Sequence, residues 1–185
     1  MTMRLVIVGA TGMVGGYALR DALEHPAVGE VTAVGRRPLG IPHPKLKEVL
    51  HRDFADCSAL AETLSGQDAA VFCLGTYTGT VPLAELRKVT VDYTIEFARV
   101  FQGSSPEAAF SFLSGNGADP TGRSRVPFAR FKGEAEKACS RRGSLACTCS
   151  GPRTSTPWSR GRNRISGTAC CAGCTQRFEC CSPTR

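Results

Sequence analysis

The beginning of the chain constrains its fold more than any other feature. Residues 3–8, MRLVIV, are a short apolar run rich in β-branched residues, and they lead directly into Gly9-Ala10-Thr11-Gly12-Met13-Val14-Gly15. A run of that length reads as a strand buried on both faces, the habit of parallel sheets. Residues 13–24 then read as a helix with Val14, Ala18, Ala22 and Leu23 apolar. A signal peptide does not fit, because the run is too short, is broken by Gly9 and Gly12, and enters a polar helix. Glycines at 9, 12 and 15 in a strand-to-helix turn have a specific physical use. The first permits the tight turn, the second lets backbone approach a pyrophosphate, and the third lets the helix pack close to the strand. The helix start adds free N–H groups and the positive end of a dipole. A plain connection is the competing reading, and the position after strand one and before a helix favours dinucleotide binding.

The alternation continues along the chain. Strands are expected at 31–35, near 47–50, at 68–75 and at 109–113, with a Pro-rich loop at 38–44. Helices are expected at 57–64, about 82–101, and 126–138 opening after Pro127. Strands alternating with helical patterns imply an α/β fold, a doubly wound parallel sheet covered on both faces. Strand two ends in Gly35-Arg36-Arg37, where an NAD site usually carries an acid for the ribose hydroxyls. A planar guanidinium suits a 2′-phosphate instead, so NADP is expected over NAD; two solvated surface arginines are the plainer alternative.

Composition matters for where it changes. The 42% hydrophobic and 21% charged residues exclude a disordered or fibrous chain, and no apolar run reaches the roughly 20 residues of a membrane span. The net charge of +7 and the ten cysteines suggest a nucleic-acid or metal protein until they are located. Residues 1–138 are charge-neutral and hold only Cys57 and Cys73; the excess charge and the other eight cysteines lie in 139–185. That segment holds only Leu145 and Ile165 as aliphatic Leu, Ile or Val, and shows no period of 2 or 3.6. The expected domains are therefore a nucleotide-binding head, 1–138, and an Arg/Cys-rich tail, 139–185, without the material of a core. The tail carries one poor Cys knuckle at 170–174 and no histidine, against a zinc module. A disulfide framework needs an oxidising compartment, whereas a nucleotide-binding head without export signal points to the cytoplasm. An arginine arm for nucleic acid lacks lysine and interleaved aromatics. An out-of-frame reading of a GC-rich gene from near Ala138 explains more. Codons exist for ACSRRGSLACTCSGPRTSTPWSRG that in another frame read LLAAGFPRLHVFRPAYIYPVEPR, a helix end, a glycine stop and a strand LHVF.

GATGMVG, GRRP, RDF at 52–54, CLGT at 73–76, LSGNGAD at 113–119 and FARFKGEAE at 128–136 together resemble the short-chain dehydrogenase/reductase superfamily. They are most similar to its atypical branch of Tat-interacting-protein-like NADP-binding oxidoreductases, over about residues 3–138. The resemblance implies a Rossmann fold, incomplete at the C-terminus. It implies that Gly9, Thr11, Gly12, Met13, Val14 and Gly15 form the pyrophosphate loop and that Arg36 and Arg37 hold the 2′-phosphate. Asp53 and Phe54 would border the adenine, and Leu74, Gly75 and Thr76 would pass beneath the nicotinamide ribose. Ser114 matches the serine that holds a substrate carbonyl. Lys132 matches the lysine that binds the nicotinamide ribose and lowers the pKa of a catalytic tyrosine.

The tyrosine itself is absent: the motif reads Phe128-Ala129-Arg130-Phe131-Lys132, and phenylalanine has no proton to donate. Tyr93 is a remote substitute. The leading expectation is hydride transfer to or from a small carbonyl or alcohol, with Ser114 and Lys132 as the catalytic pair. The alternative is a non-catalytic NADPH-sensing or protein-interaction module, which Phe128 supports. A sugar-nucleotide epimerase-like enzyme is a third option, against which the missing tyrosine counts. His25, His43 and His51 are scattered, so no metal site is expected, nor nucleic acid or membrane as partner.

Overall fold

The computed structural model describes residues 2–140 and the backbone of a strand at 145–148; residues 141–144 and 149–185, which hold most of the expected tail, lie outside the described residues. In chain order the elements are β1 (Met3–Val8), α1 (Met13–Glu24), β2 (Val28–Gly35), β3 (Leu46–Leu50), β4 (Ala69–Phe72), α2 (Leu83–Arg87), α3 (Tyr93–Ser104), β5 (Ala109–Leu113), α4 (Pro127–Ser140) and β6 (Leu145–Thr148). All strand pairs are parallel, and the sheet order is β3-β2-β1-β4-β5-β6. This is the doubly wound order, in which the strand sequence reverses direction between β1 and β4. Ligands bind such sheets in the crevice at the carboxyl ends of those two strands.

β1 sits at the centre, its Val8 facing Val34 of β2 on one side and Phe72 of β4 on the other. Successive side chains enter different layers. Val6 and Val8 join a core with Phe72, Phe97, Phe101, Phe110 and Phe112, whereas Ile7 joins a second core with Leu19, Leu23 and Val31 beneath α1. The phenylalanine side is a lattice of rings; Phe72 and Phe97 lie 5.3 Å apart between centroids. Burial on both faces explains why β1 shows a continuous apolar run rather than alternation.

Several features differ from the sequence reading, among them β4, which was expected over 68–75 and runs only from Ala69 to Phe72. Residues 57–64 form only a 3₁₀ turn, Ser58–Leu60, followed by turns. Leu60 and Leu64 are buried, so the apolar spacing was real, but so short a segment gains too few helical bonds to offset nucleation. The long helix expected over 82–101 runs from 83 to 104 and contains a π-turn, Lys88–Asp92. β2 starts three residues earlier than expected, with a register irregularity between Met3 and Arg4 of its partner. The boundary expected after Ala138 falls inside α4, where Cys139 is 2% exposed in the core. Beyond it, Leu145–Thr148 pairs with Phe110–Leu113 of β5. An open parallel edge pairs through main-chain groups, which any non-proline sequence carries, so the side-chain pattern gives no notice of it.

Candidate functional site

The glycine loop is built by close approaches that leave no room for side chains. Gly9 has φ +86°, and a Cβ there would lie 2.9 Å from the carbonyl carbon of Cys73. β1 therefore exits directly against the exit of β4, where the Cys73 N–H donates to Val8 O at 2.9 Å. A Cβ on Gly15 would lie 2.2 Å from Gly9 O, so α1 starts in contact with the turn. Gly12 N–H donates to Gly9 O at 2.9 Å, closing the loop. Gly12 is also the N-cap of α1; it supplies no side-chain cap, and the first turn holds no acid. Thr11, Gly12, Met13 and Val14 are exposed. The outcome is a helix start with unengaged side-chain space and a positive dipole end facing outward, the requirement for holding a phosphate.

The next strand end supplies the second part. β2 stops at Gly35, and Arg36 and Arg37 are exposed and enter no ion pair among the described residues. A narrow cleft between the glycine loop and β3 is lined by Ala10, Thr11, Gly35, Arg37, Glu48 and Leu50, among others. Asp53 is exposed and its carboxylate accepts the Ala55 N–H at 3.0 Å. Phe54 is different: it is 1% exposed, packed edge-on against His51 and beside Tyr93. Its ring is a core ring, so only Asp53 and the main chain there face outward. Leu74, Gly75 and Thr76 follow β4, with Leu74 against the core, Gly75 exposed and Thr76 near the Thr80 hydroxyl at 3.5 Å. Burial pushes the neighbouring Cys73 thiol up to about 11, with the charge of Lys132 opposing the shift.

The carboxyl end of β5 and the facing side of α4 hold the residues expected to act on substrate. Lys132 is 6% exposed; its Nζ donates to Leu113 O at 2.7 Å and stands 4.4 Å from the Phe112 ring centroid and 5.9 Å from that of Phe128. Ser114 is 5% exposed and donates its hydroxyl to Glu136 on α4. The next residue, Gly115, packs against the same helix, where a Cβ would lie 2.8 Å from Phe128 Cε1. Ser114 thus meets α4 at Glu136 and Gly115 meets it at Phe128, and neither 115 nor 128 carries a hydroxyl. Glu136 and Gly115 were not singled out from the sequence. The signal that identifies Glu136 is its i, i+4 spacing from Lys132.

The loop between β5 and α4 is held shut against the helix. Asp119 accepts from the Thr121 hydroxyl at 2.6 Å and its N–H at 2.9 Å, and from Ser124 N–H, which holds its carboxyl well below its ordinary 3.8, at about 2. A Cβ on Gly133 would lie 2.1 Å from Asp119 O, so loop and α4 are in direct contact. Among the described residues no group of three or more His, Cys, Asp or Glu is placed to hold a metal, and no helix is long and apolar enough to cross a membrane.

Comparison with known proteins agrees with this geometry. Residues 9–100 match the NAD(P)H-binding family. Protein HTATIP2 of Rattus norvegicus is 29% identical over 132 residues, 70% of this chain and 53% of the rat protein. The mitochondrial protein fmp52 of Aspergillus clavatus is 30% identical over 139 residues, 71% of this chain and 58% of its own length. The chain thus spans little more than half of either relative. Among solved structures, the Bordetella bronchiseptica enzyme WbmG in complex with NAD superposes with a TM-score of 0.64 at 15% identity, covering 80% of this chain and 52% of that one.

Proposed function

We propose that this chain, whose residues 9–100 match the NAD(P)H-binding family, belongs to the atypical short-chain dehydrogenase/reductase branch, binds NADP(H) in preference to NAD(H), and acts as a dinucleotide-responsive binding module rather than as a tyrosine-dependent carbonyl reductase. The residues present fit the dinucleotide. Gly9, Gly12 and Gly15 leave the space a Cβ would fill, and the uncapped start of α1, with Thr11, Met13 and Val14, cradles the pyrophosphate. Arg36 and Arg37, exposed and free of ion pairs among the described residues, take the 2′-phosphate by bidentate hydrogen bonds. Asp53 borders the adenosine end, and Leu74, Gly75 and Thr76 border the nicotinamide end. NADP(H), when bound, supplies a nicotinamide able to give or take a hydride.

The observation that carries the non-catalytic half is the pairing of Gly115 with Phe128. A carbonyl substrate gains a hydride productively when a donor protonates its oxygen. Here the Ser114 hydroxyl is given to Glu136, and a phenyl ring stands where a phenol would. Lys132 is held by the Leu113 carbonyl and the Phe112 and Phe128 rings. Exposed Tyr77 and Val126 on loops, with Leu83 at the start of α2, suit a protein partner that reads the bound state. A second reading, hydride transfer to a small carbonyl or alcohol with Ser114 and Lys132 as its residues, draws on the relatives and on the retained lysine.

Fluorescence titration with NADPH and NADH, followed by NADPH oxidation over a carbonyl panel, separates the readings. NADPH binding without turnover is expected, and binding weakened by Arg36→Ala plus Arg37→Ala. Turnover of any panel member by the unaltered protein overturns the non-catalytic reading. Equal affinity for the two dinucleotides, or indifference to the arginine changes, overturns the NADP preference.

A further inference from the structure

The loop that carries the two arginines is almost without hydrogen bonds of its own. Between Gly35, which accepts from His51 N–H, and His43, which accepts from Leu46 N–H, residues 36–42 make one hydrogen bond among the described residues. It runs from Leu39 N–H to Glu48 Oε2, at 2.7 Å. Pro38 and Pro42 have no N–H to give, and Gly40 sits at φ +68°, so the segment cannot close into a regular turn by itself. Leu39 is the first residue after Arg37 that can donate, and its side chain also packs on the core beneath α1. Glu48 lies on β3, in register with Ala33 of β2, and lines the same cleft as Arg37 and Thr11. The carboxylate thus reaches from the edge strand across the cleft and fixes the loop two residues beyond the arginines.

We propose that Glu48 is the positioning residue for dinucleotide choice: as the acceptor for Leu39 N–H it holds Arg36 and Arg37 at the ribose end of the groove, where a 2′-phosphate is read. This rests on the NADP(H) reading above. A hydrogen bond to a carboxylate at 2.7 Å is of the stronger, charge-assisted kind, and an unanchored loop must order itself when the ligand binds. The same carboxylate places a negative charge beside an anion site, so its hydrogen-bonding and its charge have opposite effects on a 2′-phosphate. The two contributions separate on substitution. Glu48→Ala removes the acceptor and the charge, whereas Glu48→Gln keeps an acceptor and removes only the charge.

The experiment is titration of NADPH and NADH into the full chain and into Glu48→Ala, Glu48→Gln and the Arg36→Ala/Arg37→Ala double variant. Glu48→Ala is expected to weaken NADPH binding about tenfold, the factor that corresponds to losing roughly one net hydrogen bond. NADH affinity should stay within about twofold, because NADH lacks the 2′-phosphate that the arginines pair with; this retained binding also shows that the variant is folded. Glu48→Gln should match or exceed the unaltered protein for NADPH. Unchanged NADPH affinity in Glu48→Ala, alongside a loss in the arginine variant, overturns the role of Glu48 and leaves the cofactor reading standing. Equal loss of NADPH and NADH in Glu48→Ala also overturns it, since loosening of the whole site is not discrimination. An arginine variant that binds NADPH normally overturns both.

Discussion

Replacing Gly15 by alanine tests the geometry of the phosphate loop more sharply than any other single change. The added Cβ would lie 2.2 Å from Gly9 O and 2.7 Å from Gly9 C, both backbone atoms that no rotamer change can move aside. The first distance is more than an ångström inside ordinary van der Waals contact, so α1 must lift from the turn or the turn must open. Overpacking a close contact costs about 1–3 kcal/mol, which for a domain of this size lowers Tm by roughly 2–12 °C. The lift also draws the first N–H groups of α1 away from any bound phosphate, and losing one or two charge-assisted hydrogen bonds weakens binding about tenfold to a hundredfold. Gly12→Ala is the internal control: its Cβ would lie 3.3 Å from Gly9 O, a contact relieved by a shift of a few tenths of an ångström. It should lower Tm by no more than about 2 °C, while still placing a methyl group where the pyrophosphate passes close to the loop. Thermal unfolding and NADPH titration of both variants read the two effects separately. A Gly15→Ala protein with unaltered Tm and NADPH affinity would refute the close packing of α1 on the turn and the phosphate site built upon it.

Three further outcomes are expected. Phe128→Tyr alone should create no carbonyl reductase, because the Ser114 hydroxyl stays donated to Glu136; Gly115→Ser in the Phe128 background should cost about 1–3 kcal/mol in unfolding free energy, since its Cβ meets the ring at 2.8 Å. The Asp119 carboxyl is depressed in the folded loop, so its contribution is full above its ordinary 3.8 and is lost as pH falls through about 2; pepsin should begin to cut within 114–126 in that window, and Asp119→Asn should be cut already at pH 4. Burial holds the Cys57 and Cys73 thiols at about 12 and about 11, so both should resist iodoacetamide at pH 8, with the fully buried Cys57 the slower.

The legible parts of the sequence were those where a local rule and the tertiary structure agree. Strand β1, the glycine turn and α1 were readable to the residue, because the backbone approaches at Gly9 and Gly15 admit no other residue type. β5 was equally clear, its apolar run closing at both ends within the expected 109–113. The site was harder where residue type and side-chain direction part company. Ser114 has a hydroxyl and donates it to Glu136, and Phe54, expected to border the adenine, has its ring in the core. Direction depends on the exact end of a strand, which composition does not reveal. β6 was hidden for another reason, since Leu145–Thr148 is held by main-chain pairing to β5 and its sequence carries no alternation. The alternative-frame string places its strand LHVF over 146–150, overlapping this stretch; we propose that the codons of residues 138–161 encode that apolar strand in another frame, and a gene whose codons give no apolar continuation in either alternative frame overturns it.

The π-turn at Lys88–Asp92 has a consequence for how the two sides of the domain are joined. One extra residue per turn sets the two halves of the 83–104 helix out of phase, by about 100° relative to an uninterrupted α-helix. That offset lets Leu86 and Val91 both reach the interior, each less than 1% exposed, while Arg87 turns outward to Glu134 of α4 and to Asp92. The insertion therefore works as a rotational adapter: it allows one helix to obey two packing directions, and deleting a single residue within it would straighten the helix at the expense of one of them.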